Sequence, residues 1–110
     1  MFVEIVISII LVTLIVVYIR MPHIYRFHRP GCGYCKKSQN DWDAFKKECS
    51  GKIIAFHDVN MDTASNSEKE LFKKYEGKGV PHIVKVAWDG SYKVYSGNRT
   101  TPDLKMFLEN

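Results

Sequence analysis

The residues with the greatest chemical reach in this chain are two thiols three positions apart, in Cys32-Gly33-Tyr34-Cys35. A short apolar segment precedes them and a helical pattern follows. Cys32 therefore falls at the edge of a helix N-terminus, where unpaired N–H groups and the helix dipole favour a thiolate. His28, Arg29, Lys36 and Lys37 add positive charge nearby, which lowers a thiol pKa further. His28 is also a candidate general base, although a surface histidine at a strand end is the commoner case. The chemistry these residues suit is thiol–disulfide exchange, with Cys32 attacking and Cys35 resolving.

Metal chemistry fits less well. A zinc site needs two further ligands, and the sequence has neither a second CxxC nor a paired histidine motif. Lys36 stands where covalent haem attachment requires histidine. No metal or other cofactor is expected beyond the Cys32/Cys35 pair itself.

The elements that must position the pair can be read along the chain. His23 to His28 reads as a strand, with Ile24, Tyr25 and Phe27 as its apolar content, and Arg29-Pro30-Gly31 turns the chain into the motif. Cys35, Ser38, Trp42, Phe45 and Cys49 recur at spacings of three and four, which predicts one amphipathic helix ended by Ser50-Gly51. On a continuous helix Cys49 lies about 21 Å from Cys35, too far for a disulfide, so Cys49 reads as a buried core thiol. Ile53 to Val59 predicts a second strand. Ser67-Glu68-Lys69-Glu70 fits a capping box for a short helix with Leu71, Phe72 and Tyr75 inward and Gly77 beyond its end.

Pro81-His82 opens a third strand reaching Trp88, and Asp89-Gly90 is a hairpin signal into a fourth, Tyr92 to Tyr95. Thr100 or Thr101 caps a last helix with Pro102 in its first turn and Leu104, Phe107 and Leu108 inward. His57 and His82 fill structural or solvent-facing places. The order is β-α-β-α-β-β-α, an α/β fold with a four-stranded mixed sheet and three helices.

The first nineteen residues are of a different kind. They are nearly all apolar, and all 16 Lys and Arg follow them, whereas Glu4 alone of the 12 acidic residues lies among them. As a helix this run is about 28 Å long, close to the thickness of a bilayer core. A cleaved signal peptide is the alternative, but the run lacks a basic start and a small-residue cleavage site. Residues 1–20 therefore read as a single transmembrane anchor in contact with lipid, and residues 21–110 as the folded domain. Arg20, Arg26, Arg29, Lys36 and Lys37 follow the span, so the positive-inside rule puts the domain in the cytosol and a short N-terminus outside. The net charge of +4 is scattered among acids without a basic run, which argues against a nucleic-acid partner.

From residue 23 onward the chain resembles the thioredoxin-like superfamily in its short, glutaredoxin-type form. The strand ending at Phe27, the Cys32-Gly33-Tyr34-Cys35 motif followed by Lys36, and Gly79-Val80-Pro81 before the third strand carry the resemblance. It implies that Pro81 is cis and lies beside the dithiol, leaving the Val80 backbone free to pair with an extended substrate segment. Tyr34, Val80 and Pro81 are then the substrate-contacting residues, Cys32 and Cys35 the catalytic ones, and His28, Arg29 and Lys36 the modulating ones. Partners would be protein thiols and disulfides, together with an electron donor or acceptor. Two departures stand out: Gly31 replaces the tryptophan usual before the first cysteine, and Arg26 replaces a buried acid six residues before it. A non-catalytic membrane protein using the fold for docking is the competing reading, and it has no need of the cysteine pair or of Val80-Pro81.

Overall fold

The computed structural model describes residues 1–109. Helix α1 (Phe2–Arg20) runs into strand β1 (His23–His28) with two residues between them. Then come α2 (Gly33–Lys37), α3 (Gln39–Glu48), β2 (Ala55–Asn60), α4 (Asn66–Lys74), β3 (His82–Val86), β4 (Tyr92–Val94) and α5 (Thr101–Glu109). The sheet order is β2-β1-β3-β4, with β1 parallel to β2 and antiparallel to β3, and β4 antiparallel to β3. The expected four-stranded mixed sheet is present, and β1 lies inside it.

Strand alternation divides the apolar side chains between two layers. Ile24 and Ile83 face α3 and α5, where Trp42, Phe45, Cys49, Leu104 and Phe107 complete one core. Phe27, Val84 and Val86 face the other way and pack with Val59, Met61 and Tyr75, with Leu71 and Phe72 of α4 against them. Cys49 is buried and unbonded, as its place on the helix predicts.

Strand β3 stops at Val86, short of the expected Trp88, and three further local expectations change. The helix expected from Cys35 to Cys49 is broken at Ser38, whose hydroxyl donates to the Tyr34 carbonyl at 2.9 Å instead of leaving the turn undisturbed. There are thus four helices after β1 rather than three. The capping box of α4 begins at Ser65, not Ser67: Ser65 Oγ accepts from the Glu68 N–H, and Glu68 Oε1 accepts from the Ser65 N–H. Ser65 with Glu68 and Ser67 with Glu70 both fit the pattern, and the helix takes the earlier pair. Strand β2 starts at Ala55 rather than Ile53, since Ala55 is the first residue in register with β1.

The turn signals act where the sequence places them. Gly90, at φ +87°, closes the β3–β4 hairpin with Asp89 accepting from the Ser91 N–H. At the end of α4 the left-handed residue is Glu76, and the Gly77 N–H reaches back to the Phe72 carbonyl at 2.7 Å.

His57 on β2 stacks on Tyr25 at 4.4 Å and on His23 at 5.1 Å, with His57 Nε2 and His23 Nδ1 2.9 Å apart. Burial, and secondarily His23, pushes the His57 pKa below 6.5. The unfolded chain then binds more protons than the native one just below pH 6.5, so the contribution is complete above that pH and is lost as pH falls through the native value. The thermal midpoint should fall as pH is lowered from 7 to 5.5. His57→Phe, which keeps a ring but cannot titrate, should make that fall shallower, and an identical slope would contradict this role.

Candidate active site

The dithiol sits where β1 ends and α2 begins, and its two sulfurs are bonded to each other, with Cα atoms 5.2 Å apart. Cys32 is the N-cap of α2 and its sulfur accepts the Cys35 N–H at 3.0 Å. A thiolate at Cys32 keeps that donor after the disulfide opens. Because α2 is only five residues long, this direct N–H contact carries more of the stabilisation than the helix dipole expected from an unbroken helix. Cys32 is half-buried and reachable, while Cys35 is 3% exposed, so attack from outside falls on Cys32.

Chain topology brings a second segment to the same place. Phe27 at the end of β1 is in register with His82 at the start of β3, so the residues before His82 lie beside the motif. The Val80–Pro81 peptide is cis, and the Val80 carbonyl is 3.6 Å from Cys32 Sγ. Both Val80 and Pro81 are half-buried. Tyr34 is 74% exposed and lines a cleft of about 360 Å³ with Lys37, Ser38, Asp41 and the loop Gly97-Asn98-Arg99-Thr100. A second cleft of about 470 Å³ on the other side of the motif is lined by His28, Arg29, Pro30, Cys35, Lys36 and Gln39.

The expected cationic surroundings are rearranged. Burial, and then Arg26, lowers the His28 pKa below 6.5, so its ring is neutral at pH 7 and adds no charge to the pair. Arg29 is exposed and lies 3.7 Å from Asp62, which shares its charge. Lys36 is exposed beside Cys35 and stays in position to act.

Two arginines that composition alone does not single out bond directly to the backbone of the site. Arg26, 1% exposed, donates through Nη2 to the Cys35 carbonyl at 2.8 Å and through Nη1 to Gln39 Oε1 at 2.9 Å. Arg99 donates to the Pro81 carbonyl at 3.0 Å. Arg26 is visible in the sequence as a charge inside an apolar strand. Arg99, in a loop of small residues, carries no such signal. Among the described residues no cluster of three or more histidine, cysteine or acidic residues could hold a metal ion.

In the reduced chain, brief treatment with iodoacetamide should modify Cys32 at least about tenfold faster than Cys35 or Cys49, since reactivity follows thiolate character and access. Burial raises the Cys49 pKa, which slows it further. Peptide mapping in which Cys49 reacts as fast as Cys32 would contradict the assignment.

Residues 15–110 match the thioredoxin family model. Protein disulfide-isomerase 1 of Dictyostelium discoideum is 32% identical over 89 residues, covering 77% of this chain and 23% of that protein. The protein disulfide-isomerase of Ricinus communis is 28% identical over 93 residues, covering 78% of this chain and 18% of that protein. The chain thus spans less than a quarter of the length of these relatives. Among solved structures, Fasciola hepatica thioredoxin superposes with a TM-score of 0.64 at 20% identity, over 89% of this chain and 88% of that one. The first thioredoxin domain of mouse protein disulfide-isomerase A4 gives 0.66 at 21% identity, over 80% and 61%. Both superpositions support the fold alone, but the family match extends over the whole domain and includes both cysteines: the chain belongs to the thioredoxin family.

Proposed function

We propose that the chain is a membrane-anchored thiol–disulfide oxidoreductase that acts on protein disulfides, with residues 1–20 as anchor and 21–110 as the catalytic domain. The observation that carries this reading is the bonded Cys32–Cys35 pair, with Cys32 half-buried at a helix N-cap and Cys35 buried behind it. In the reducing direction the Cys32 thiolate attacks one sulfur of a substrate disulfide, forming a mixed disulfide and releasing one substrate thiolate. Cys35 then attacks Cys32 Sγ, the second substrate thiolate leaves, and two electrons have passed from the pair to the substrate. The same steps reversed oxidise a substrate dithiol.

The Val80 carbonyl lies against the Cys32 sulfur, and an extended substrate segment can pair with the Val80 backbone in the manner of strand addition to a sheet edge. Tyr34 and Pro81 supply the adjoining contact surface. Lys36 is the modulating cation at the motif, with Arg29 partly neutralised by Asp62.

Helix α1 is long and apolar enough to cross a bilayer, and it has no buried residues within the protein. β1 starts two residues beyond it and climbs toward the motif, so an anchored domain holds its dithiol on the side away from the lipid. Arg20 lies over the Trp88 ring at 5.5 Å, a pairing suited to the membrane interface. The positive flank of the span supports a cytosolic domain.

One preparation tests both halves of this reading. The full chain in sealed vesicles with their cytosolic face outward should resist carbonate extraction, expose its domain to protease, and reduce insulin disulfides with dithiothreitol as donor. Cys32→Ser should lower that turnover to the uncatalysed background. Undiminished turnover in Cys32→Ser would overturn the catalytic assignment, and a soluble, shortened product would overturn the anchor.

A further inference from the structure

The group that most sets this site apart is a buried cation with no ionic partner. Arg26 lies on the face of β1 that packs against α3, and its guanidinium sits 5.7 Å from the Trp42 ring. It bonds the Cys35 carbonyl, Gln39 Oε1 and, at 3.4 Å, Ser38 Oγ. Among the described residues no carboxylate lies within 4.0 Å of it, and its Nε is buried without a hydrogen-bond partner. A buried guanidinium without a counter-ion is costly, and an aliphatic side chain would fill the same space more cheaply. Such a charge belongs beside a place where negative charge appears during the reaction.

We propose that Arg26 is a positioning residue that stabilises the Cys35 thiolate as it leaves, and thereby poises the Cys32–Cys35 disulfide as an oxidant of protein dithiols. The inference rests on the reading of this pair as the redox centre. A substrate thiolate attacks Cys32 Sγ, the Cys32–Cys35 bond breaks, and the electron pair goes to Cys35 Sγ. The substrate's second thiolate then attacks the substrate sulfur of the mixed disulfide and Cys32 leaves as a thiolate. The substrate dithiol has lost two electrons and two protons, the pair has gained the electrons, and the protons pass to solvent or to the cysteine thiolates.

In both steps negative charge develops on this chain. Arg26 reaches Cys35 through the carbonyl of that residue, so it braces the α2–α3 break and fixes a positive charge against the backbone of the leaving thiolate's own residue. Stabilising the reduced, thiolate form makes the disulfide more oxidising. A guanidinium cannot take a proton from the Cys35 thiol as a carboxylate could, so base-assisted attack by Cys35 in the reducing direction gains nothing from this position.

The other charges facing this region do not cancel the effect. Asp58 on β2 is engaged by Trp42 Nε1 at 2.6 Å and Lys46 Nζ at 2.7 Å. Asp43 on α3 is exposed and accepts from Gln39 Nε2. Lys36 on α2, Lys46 on α3 and Arg99 before α5 are cations, and His28 on β1 is neutral at pH 7.

The test is the equilibrium of the full, detergent-solubilised chain with glutathione. Arg26→Met, which keeps length and removes charge, should shift that equilibrium at least about tenfold toward the disulfide, equivalent to about 30 mV for this two-electron couple. Arg26→Lys should stay within about threefold of the parent. An Arg26→Met equilibrium equal to the parent's, or an equal shift in Arg26→Lys, would overturn the inference. Should Arg26→Met fail to fold, the reduced Cys32→Ser chain still decides: followed by pH-dependent alkylation and peptide mapping, Cys35 should ionise at a lower pH than Cys49, and an equal or higher midpoint for Cys35 would overturn it. A chain that does not exchange with glutathione at all would instead remove the redox reading on which the inference stands.

Discussion

The hydrogen bond from Arg26 to the Cys35 carbonyl joins the central strand to the turn that carries the chemistry. A carbonyl four residues before Gln39 would ordinarily accept from the Gln39 N–H in a continuous helix. Here the helix breaks at Ser38, and the guanidinium takes the freed carbonyl while Gln39 and Ser38 turn their side-chain oxygens toward the same group. The break keeps α2 short and lets α3 pack Trp42 and Phe45 against the sheet at its own angle. One buried cation thus braces the backbone at Cys35.

The other half of the site follows from strand order. With β1 between β2 and β3, both neighbours of the central strand end or begin near the motif, and the antiparallel β3 must enter the sheet beside Phe27. That entry brings the Val80 carbonyl to Cys32, the backbone with which a substrate chain is proposed to pair. Arg99 then holds the Pro81 carbonyl from the opposite loop. Access is graded accordingly: Cys32 can be reached, Cys35 cannot, and Cys49 is sealed between the sheet and α5.

Most of this was legible in residue order. Alternation in His23 to His28, the 3-4 spacing through Trp42 and Phe45, and the Asp89-Gly90 turn are local signals, and the elements form where those signals place them. The break at Ser38 was hidden because serine and cysteine sit acceptably on an amphipathic face, and the Arg26 bond to the Cys35 carbonyl, which acts alongside the Ser38 hydroxyl on Tyr34, comes from a distant strand. The neutral His28 was equally invisible, since its charge depends on burial and on Arg26 through space. Arg26 itself was conspicuous as a departure from the family pattern, but a sequence gives no sign of which carbonyl a buried cation will find. Ser65 and Ser67 each stand three residues before a glutamate, so the motif alone does not choose between them, and α4 is capped by the earlier one.

On the proposed mechanism Cys32, and no other thiol, forms the covalent link to substrate. The direct measurement is mass spectrometry, under non-reducing conditions, of the Cys35→Ser full chain after incubation with a disulfide-bonded protein. Without the resolving thiol the mixed disulfide should accumulate, and every cross-linked peptide should contain Cys32. Adducts through Cys49, or none at all from a folded chain, would contradict it.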